Sequence, residues 1–430
     1  MKLPLKIAIA GLGTVGGGTV RLLRQNAELL EHRAGRRLVL TAVAARDKRR
    51  DRGLDFGDAR WESDATALAS ASDVDVVIEL IGGSDGPARS LVTAALANGK
   101  HVVTANKALI AHHGAALAKL AEEKGAALAF EAAVAGGIPI LKALREGLSA
   151  NNVGSIHGIL NGTCNYVLTT MRQTGRDFAD VLGEAQRLGY AEADPSFDID
   201  GIDSAHKLAI LASVAFGTEV DFASVHVEGI RHVSALDIAF AEDLGYRIKL
   251  LGLARPTAHG LEQRVHAAMV PRTAPIAQVD GVYNAVVVEG DFVGRVMLEG
   301  RGAGAEPTAS AVVADLLDIA SGRALTSFAG PASQFRRLPA APIERHRGAY
   351  YVRLMVLDRP GVIADVTAAL RDELVSMEQL IQRGRAPGEA VPVVLTTHET
   401  EEAAMRRALE RIARLGTVTE PPRMIRVENF

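Results

Sequence analysis

Short apolar segments alternate with amphipathic segments along residues 1–135. Runs rich in Val, Ile and Ala that are bounded by turn residues are typical of parallel strands buried on both faces. The predicted strands cover 5–10, 38–45, 74–81, 101–105 and 128–132. A helix is predicted over 87–97 from its apolar spacing. The pattern therefore predicts an α/β domain with a parallel sheet and helices on its faces.

The alternation ends near residue 136, where a second domain with longer strands begins. Helices are predicted over 138–148 and 309–319. The predicted strands cover 155–160, 247–254, 263–270, 285–289 and 293–299. We expect these strands to form a mixed sheet that serves as the floor of a substrate site and as a dimer surface.

Residues 327–348 contain three prolines among arginines and alanines, show no amphipathic period, and are predicted to be a linker. Regular elements return in the last part of the chain. The predicted strands cover 349–357, 375–382, 391–397 and 424–428, and the predicted helices cover 362–371 and 401–414. This βαββαβ order is the ferredoxin-like plan.

Composition and charge narrow the classes of partner. The 430 residues carry a net charge of −3, which gives no reason to expect nucleic acid or an anionic membrane as a partner. No apolar run reaches transmembrane length, and the first residues lack a secretory pattern. Cys164 is the single cysteine, which excludes an internal disulfide and fits a reducing compartment. We predict a globular cytoplasmic protein.

A glycine-rich turn with the sequence GLGTVG joins the first predicted strand to a helix. Gly11 and Gly13 permit a tight turn and let backbone N–H groups approach a pyrophosphate, while Gly16 lets helix and strand pack closely. The position between strand and helix favours a dinucleotide-binding, Rossmann-type domain over a merely structural turn. We expect Thr14 and Val15, at the start of the helix, to contact the cofactor.

Arg46 follows the second predicted strand, at the point where an NAD-binding protein usually has an acid for the ribose diol. Arginine suits the 2′-phosphate of NADP. Asp47 follows at once, so NADP is favoured and NAD stays an open alternative. For the basic residues 48–50, a solvated loop is as good an explanation as phosphate binding.

An acid-rich segment runs from Gly189 to Lys207, with the sequence GYAEADPSFDIDGIDSAHK. It leads into residues 207–216, which are apolar almost all round and are therefore predicted to form a buried helix. Asp203 and Lys207 are spaced i and i+4, so they share one helix face that enters the interior. From spacing alone, a structural salt bridge at a helix start is the commoner explanation, and a reactive lysine is the alternative.

This segment resembles the signature of the homoserine dehydrogenase family, in which G-[YF]-x-E-x-D-P precedes an aspartate and then D-x-x-x-K. Further motifs are similar to motifs of that family. They are TANK at 104–107, AVAGGIP at 133–139, NGTCNY at 161–166 and GRGAGAEPT at 300–308. The resemblance implies NAD(P)-dependent interconversion of L-aspartate 4-semialdehyde and L-homoserine in threonine and methionine biosynthesis.

The resemblance also implies an organisation and a set of roles. The expected fold is α/β, with a Rossmann-type nucleotide-binding domain over 1–135 that about 305–325 complete, and an α+β catalytic and dimerisation domain with a mixed sheet over 136–304. Lys207 would donate and accept the proton, with Asp203 beside it. The residues that would bind substrate are Lys107, Glu192, Asp198 and Asp203. The residues that would bind cofactor, besides the turn and Arg46, are Lys107, Gly189 and Gly304.

By the same resemblance, the AVAGGIP segment is a site for a monovalent cation, expected to be sodium. Its ligands would be the Glu131 side chain and the backbone carbonyls of Val134, Gly136 and Ile138, because hard cations take oxygen ligands. The Asn161-Gly162 turn of NGTCNY is expected to have a structural role, since it leads into a helix.

The turn from Leu357 to Val362 resembles the first turn of ACT domains, which implies a C-terminal ferredoxin-like ACT domain over 348–430. An amino-acid effector, threonine by family resemblance, and a homodimer or homotetramer are then expected. A chain that ends near Arg347 is expected to keep turnover and lose inhibition. The alternatives are a non-catalytic amino-acid sensor and a different reductase, such as an amino-acid dehydrogenase.

Overall fold

The first sheet has six parallel strands in the order β3-β2-β1-β4-β5-β6. The computed structural model describes residues 2–323, 326–383, 386 and 388–430. The strands are β1 (Leu5–Ala10), β2 (Leu38–Ala44), β3 (Arg60–Glu62), β4 (Val76–Glu79), β5 (His101–Thr104) and β6 (Leu128–Ala129). The order is that of dinucleotide-binding folds, in which ligands bind where the order reverses, here between β1 and β4.

Helices cover both faces of this sheet. They are α1 (Thr14–Gln25), α2 (Ala27–Ala34), α3 (Pro87–Ala97) and α4 (Lys107–Glu123). The predicted helix over 87–97 is confirmed, and the predicted strand over 128–132 is too long. Residues 131–133 form a 3-10 turn there, because the Glu131 side chain turns inward and accepts hydrogen bonds from backbone N–H groups of the next helix.

The middle of the chain supplies the remaining helices around the site. They are α5 (Ile140–Lys142), α6 (Gly162–Thr174), α7 (Phe178–Arg187), α8 (Ser196–Ile199), α9 (Ile202–Phe216), α10 (Ala235–Asp243) and α11 (Ala305–Ser321). The helix predicted over 138–148 is interrupted, because α5 continues as a π-helical turn over Ala143–Gly147. Helix α11 returns to the first sheet and packs on α1, where Gly18 leaves room for the Ala305 carbonyl. Residues 324 and 325, at the end of the segment expected to complete this domain, lie outside the described residues.

A second sheet of eleven strands holds the rest of the chain together. The middle segment, residues 136–304, supplies β7 (Val153–Ile159), β9 (Tyr246–Thr257), β10 (Gly260–Pro271), β11 (Tyr283–Gly290) and β12 (Gly294–Arg301). The short β8 (His226–Val227) pairs with β10. The predicted strands of the mixed sheet are therefore confirmed; β7 and β12 are one residue longer than expected, and β9, β10 and β11 are three or four residues longer. Apolar side chains of β7, β9 and β10 pack against α9, which buries that helix.

The C-terminal module, residues 347–430, has the predicted βαββαβ order. Its elements are β13 (Arg347–Leu357), α12 (Val362–Asp372), β14 (Met377–Gln382), β15 (Ala390–Thr397), β16 (Thr400–Glu401), α13 (Glu402–Ala413) and β17 (Arg423–Val427). The main strands lie in the order β17-β13-β15-β14, with antiparallel neighbours. β17 also pairs in parallel with β10, so the module shares one sheet with the middle segment.

The predicted linker over 327–348 packs along the middle segment. Phe328 is 1% exposed and its ring lies 5.0 Å from that of Phe130. Isolated bridges join Thr218 to Arg336 and Leu261 to Ala340. A free linker is therefore the wrong description, because apolar burial and backbone pairing fix this segment. No helix in the described part of the chain combines the length and the apolar character needed to cross a membrane.

Candidate active site

The glycines of the turn after β1 have two roles, because two of them allow close packing and one leaves its backbone open. Gly11 has a φ of +98°, and a side chain there would collide with the Leu80 carbonyl oxygen. A side chain at Gly16 would collide with the carbonyl oxygen of Gly11, which explains the close packing of strand and helix. Gly13 has no neighbour within 4 Å of the position of a Cβ, so its backbone is open to a ligand. Thr14, which starts α1, is exposed beside it.

Residues of the TANK motif connect the carboxyl ends of β4 and β5 by hydrogen bonds. The buried Glu79 accepts hydrogen bonds from the Ile81 backbone N–H at 2.7 Å and from the Thr104 hydroxyl at 2.6 Å. Asn106 donates to the Gly83 carbonyl at 2.7 Å and caps α4 by accepting from the Leu109 N–H. These contacts place the next residue, Lys107, at the first position of α4.

Two lysines converge on Asp203, which is 3% exposed in the first turn of α9. Lys207 Nζ lies 2.7 Å from Asp203 Oδ2, and Lys107 Nζ lies 2.9 Å from Oδ1. Lys207 Nζ also donates to the Leu160 carbonyl oxygen at 2.7 Å. The expected Asp203–Lys207 pair thus exists, and a third charge, that of Lys107 at the start of α4, joins it. Such a group of charges next to a cleft is typical of functional sites.

Asn161 connects two acids of the acid-rich segment, Asp198 and Asp203. Its Nδ2 donates to Asp198 Oδ1 and to Asp203 Oδ2, each at 2.8 Å. Its Oδ1 caps α6 by accepting from the Cys164 N–H at 2.8 Å. Thr163 Oγ1 lies 3.0 Å from Asp198 Oδ2. The NGTCNY motif therefore has the expected structural role and, in addition, a place in the site.

Opposite charges set the protonation states of this cluster. Burial would raise the pKa of Asp203, but Lys207 and then Lys107 outweigh it, so the pKa of this carboxyl lies below its usual value. Burial would lower the pKa of Lys107, but Asp203, Asp198 and Glu192 outweigh it and raise that pKa. Both groups therefore stay charged at neutral pH.

A cleft of about 550 Å³ extends from this cluster to the first sheet. Its lining includes Val15, Lys107, Gly136, Gly189, Asp198, Asp203, Lys207, Asn284 and Gly304. Gly189 and Gly304 have φ of +77° and +118°, conformations that favour glycine, so both loops present backbone to the cleft. Glu192 is exposed and lies outside the lining residues. Arg46 is exposed just past the carboxyl end of β2.

The segment from Glu131 to Ile138 borders the cleft on the side of the first sheet. Glu131 is 1% exposed, and its oxygens accept from the N–H groups of Leu141 at 2.9 Å and Lys142 at 2.8 Å. Burial, and next the neighbouring Asp315, raises the pKa of Glu131 to about 7. Within the described residues, the carbonyl oxygens of Val134 and Gly136 accept no hydrogen bond, whereas that of Ile138 accepts from the Ile140 N–H.

Comparison with known proteins accounts for both halves of this site. The family model for the homoserine dehydrogenase NAD binding domain matches residues 11–131, and the model for homoserine dehydrogenase matches residues 139–317. A homoserine dehydrogenase of Pseudomonas aeruginosa is 48% identical, with 99% of each chain covered. The crystal structure of a homoserine dehydrogenase from Thiobacillus denitrificans is 47% identical and superposes with a TM-score of 0.94 over 99% of each chain. The chain belongs to the homoserine dehydrogenase family.

The protein is therefore an NAD(P)-dependent oxidoreductase of this family, with a domain that binds a nicotinamide cofactor. A hyperthermophilic archaeal homoserine dehydrogenase in complex with NADPH is 26% identical, with a TM-score of 0.62. The match covers 73% of this chain and 97% of the archaeal chain.

Sequence patterns do not identify three residues at or beside the cleft, which are Glu79, Asn161 and Asn284. Glu79 ends the buried strand β4 and accepts hydrogen bonds from the backbone N–H groups of Ile81 and Gly82 and from the Thr104 hydroxyl at the end of β5. Asn161 was assigned to a turn only. Asn284 is 1% exposed in the cleft lining, and its Oδ1 has no hydrogen-bond partner among the described residues. An acidic residue at the end of a buried parallel strand is the one signal that could have identified Glu79, because ligands bind at that edge.

Proposed function

We propose that this enzyme catalyses the reversible reduction of L-aspartate 4-semialdehyde to L-homoserine with NADPH, a step of threonine and methionine biosynthesis. The observation that carries the proposal is the meeting of Lys107 and Lys207 on the buried Asp203, in a cleft that also reaches the glycine loops. The bound nicotinamide cofactor supplies the hydride in the direction of reduction. Residues of the chain must then bind the substrate and deliver one proton.

Lys207 is the proton donor in this proposal. Reduction of an aldehyde leaves negative charge on its oxygen, and a positioned acid typically accelerates such a step by about 10² to 10⁴. Lys207 Nζ is held from two sides, by Asp203 Oδ2 and by the Leu160 carbonyl, and its side chain is 9% exposed. In the oxidative direction the same amine accepts the proton, because the mechanism is reversible.

Lys107 and the acids bind the substrate in this proposal. Lys107 reaches the same carboxylate from the end of β5, which is the side of the first sheet where ligands bind, so it can orient the substrate carbonyl. Asp198 lies in the cleft lining and Glu192 lies exposed near it, and both raise the pKa of Lys107. Carboxylates in these places suit the ammonium group of an amino-acid substrate.

The residues present fit a dinucleotide. The open backbone at Gly13, the lining residues Val15 and Gly304, and the N-terminus of α1 together form a place for a pyrophosphate. Arg46 takes part in no ion pair among the described residues and follows β2, where the ribose is expected, so we assign it to the 2′-phosphate of NADP, with NAD as the weaker alternative.

The Glu131 segment fits a monovalent cation, which we propose to be sodium. Burial and the neighbouring Asp315 raise the pKa of this carboxyl to about 7, so a cation beside it would favour the ionised form. The free carbonyl oxygens of Val134 and Gly136 suit a hard cation, and Ile138 would contribute its second lone pair. The proposed cation would hold the loop against the cleft.

The C-terminal module is proposed to be an ACT domain that binds threonine as a feedback effector, in a homodimer or homotetramer. Its ferredoxin-like strand order supports this assignment. The effector would shift a conformational equilibrium instead of occupying the active site.

The proposed reaction is tested with the purified enzyme by following NADPH oxidation with aspartate semialdehyde and, separately, with oxaloacetate plus ammonia. We expect turnover with the first substrate only. Turnover with oxaloacetate and ammonia would favour an amino-acid dehydrogenase, and no turnover with either would favour a sensor. Both of these results would contradict the proposal.

A further inference from the structure

The turn between α8 and α9 is held from outside by residues 226–231. The Ile230 N–H donates to the Ile199 carbonyl at 2.9 Å, and Arg231 pairs with Asp200 at 2.5 Å. A side chain at Gly229 would collide with the same Ile199 carbonyl oxygen, so the two backbones touch. Because the turn lies between Asp198 and Asp203, the position of residues 226–231 affects both acids.

Residues 226–231 are in turn held by the second sheet and the C-terminal module. Val227 pairs with Val265 of β10, and the Glu228 N–H donates to the Val265 carbonyl at 2.7 Å. The Glu228 carboxylate accepts two hydrogen bonds from Arg426 of β17, at 2.8 and 3.0 Å.

Arg426 is a two-sided connector. It is 1% exposed, and its guanidinium also binds Glu402 of α13 at 2.6 and 2.7 Å. The planar guanidinium group thus binds Glu402 of the module and Glu228 of the middle of the chain at the same time. The single ammonium group of a lysine could not make both pairs of hydrogen bonds. Glu402 also pairs with Arg406 at 2.6 Å, so Glu228 supplies the second carboxylate that holds Arg426.

We propose that Arg426 is a positioning residue for the substrate site and that it acts through Glu228 on the turn that carries Asp198. The inference rests on the proposed function, in which Asp198 binds the ammonium group of the substrate. The C-terminal module then completes the substrate site in addition to any role in regulation.

The test compares Glu228→Gln and Arg426→Met with the matched control Arg353→Met. Arg353 is a buried arginine of the same module that contacts Asp237 of α10 at 2.7 Å and does not contact residues 226–231 among its hydrogen bonds. We expect the first two variants to raise KM for aspartate semialdehyde by about 3- to 10-fold, which lies within the range of couplings through packed networks, with kcat and the Kd of NADPH within about twofold. Arg353→Met should lower Tm without a change in KM.

The Glu228 variant keeps the test decisive if Arg426→Met fails to fold, because the Glu228 side chain is 41% exposed and Arg426 would keep Glu402. A wild-type KM in Glu228→Gln would overturn the inference, as would equal rises in KM for Arg426→Met and Arg353→Met. Failure of the wild-type enzyme to reduce the semialdehyde would instead overturn the proposed function itself.

Discussion

Replacement of Asp203 by asparagine tests how the two lysines are held. The variant keeps the size of the side chain and one oxygen, but it removes the negative charge that lies 2.7 Å from Lys207 and 2.9 Å from Lys107. Loss of one partner of a buried ion pair typically costs about 3 to 5 kcal/mol. Because Asn161 and Leu160 still provide polar contacts, we expect a loss of stability near the lower end, about 3 kcal/mol.

The same change should lower kcat. If the transition state loses about 3 kcal/mol of stabilisation because Lys207 is no longer held in place, the rate falls by about 10², since 1.36 kcal/mol corresponds to a factor of ten. Asp203 is the strongest influence that raises the pKa of Lys107, and burial alone lowers that pKa. Because Lys107 orients the substrate carbonyl in its ammonium form, the part of the basic limb of the kcat/KM profile that reports Lys107 should move to lower pH in the variant.

The assay is steady-state turnover in both directions, combined with thermal unfolding. Asp237→Asn is the control, because Asp237 is also a fully buried carboxylate, bound to Arg353 at 2.7 Å, and lies outside the cleft lining. We expect the control to lose stability and keep kcat. An Asp203→Asn enzyme with near-normal kcat and an unshifted pH profile would refute the reasoning.

The remaining predictions concern the cofactor, the cation and the module. Arg46→Asp should weaken NADPH far more than NADH, and an unchanged ratio of kcat/KM for the two cofactors would contradict the assignment. Glu131 is largely protonated below its pKa of about 7, and a cation binds the ionised form, so sodium should raise Tm more at pH 8 than at pH 6, relative to choline chloride. Glu131→Gln should abolish the difference, and an equal effect at both pH values would exclude the site. L-Threonine should inhibit the full-length enzyme, and deletion of 347–430 should remove that inhibition. The deletion should also lower Tm, because Arg264 is 0% exposed and would lose its partner Glu428. A shortened enzyme of unchanged Tm would show that the module is separable.

Local patterns predicted most elements of both sheets. Buried parallel strands such as β1 and β5 consist of apolar runs, which predicted their positions. The glycine turn could be recognised as a dinucleotide-binding turn because a strand precedes it and a helix follows it. The i and i+4 spacing of Asp203 and Lys207 predicted a pair that the structure contains. The roles of these residues remain predictions.

Contacts between distant segments could not be predicted in this way. The pairing of β10 with β17 joins residues near 268 to residues near 426, and neither strand carries a local signal for its partner. The segment predicted to be a linker, 327–348, is therefore packed against the chain, and the module that follows it shares a sheet with β10. Lys107 likewise reaches Asp203 only because the two domains meet, which no spacing along the chain reveals.

Single-turnover kinetics of Lys207→Ala test the central claim most directly. The enzyme is saturated with NADPH, mixed with aspartate semialdehyde, and followed by the loss of NADPH absorbance. We predict a rate at least about 10² below that of the wild type, on the scale of general acid catalysis, with a Kd for NADPH within about twofold of the wild-type value. A near-normal rate in a folded, NADPH-saturated variant would contradict the account, because the proton would then come from Lys107 or from water.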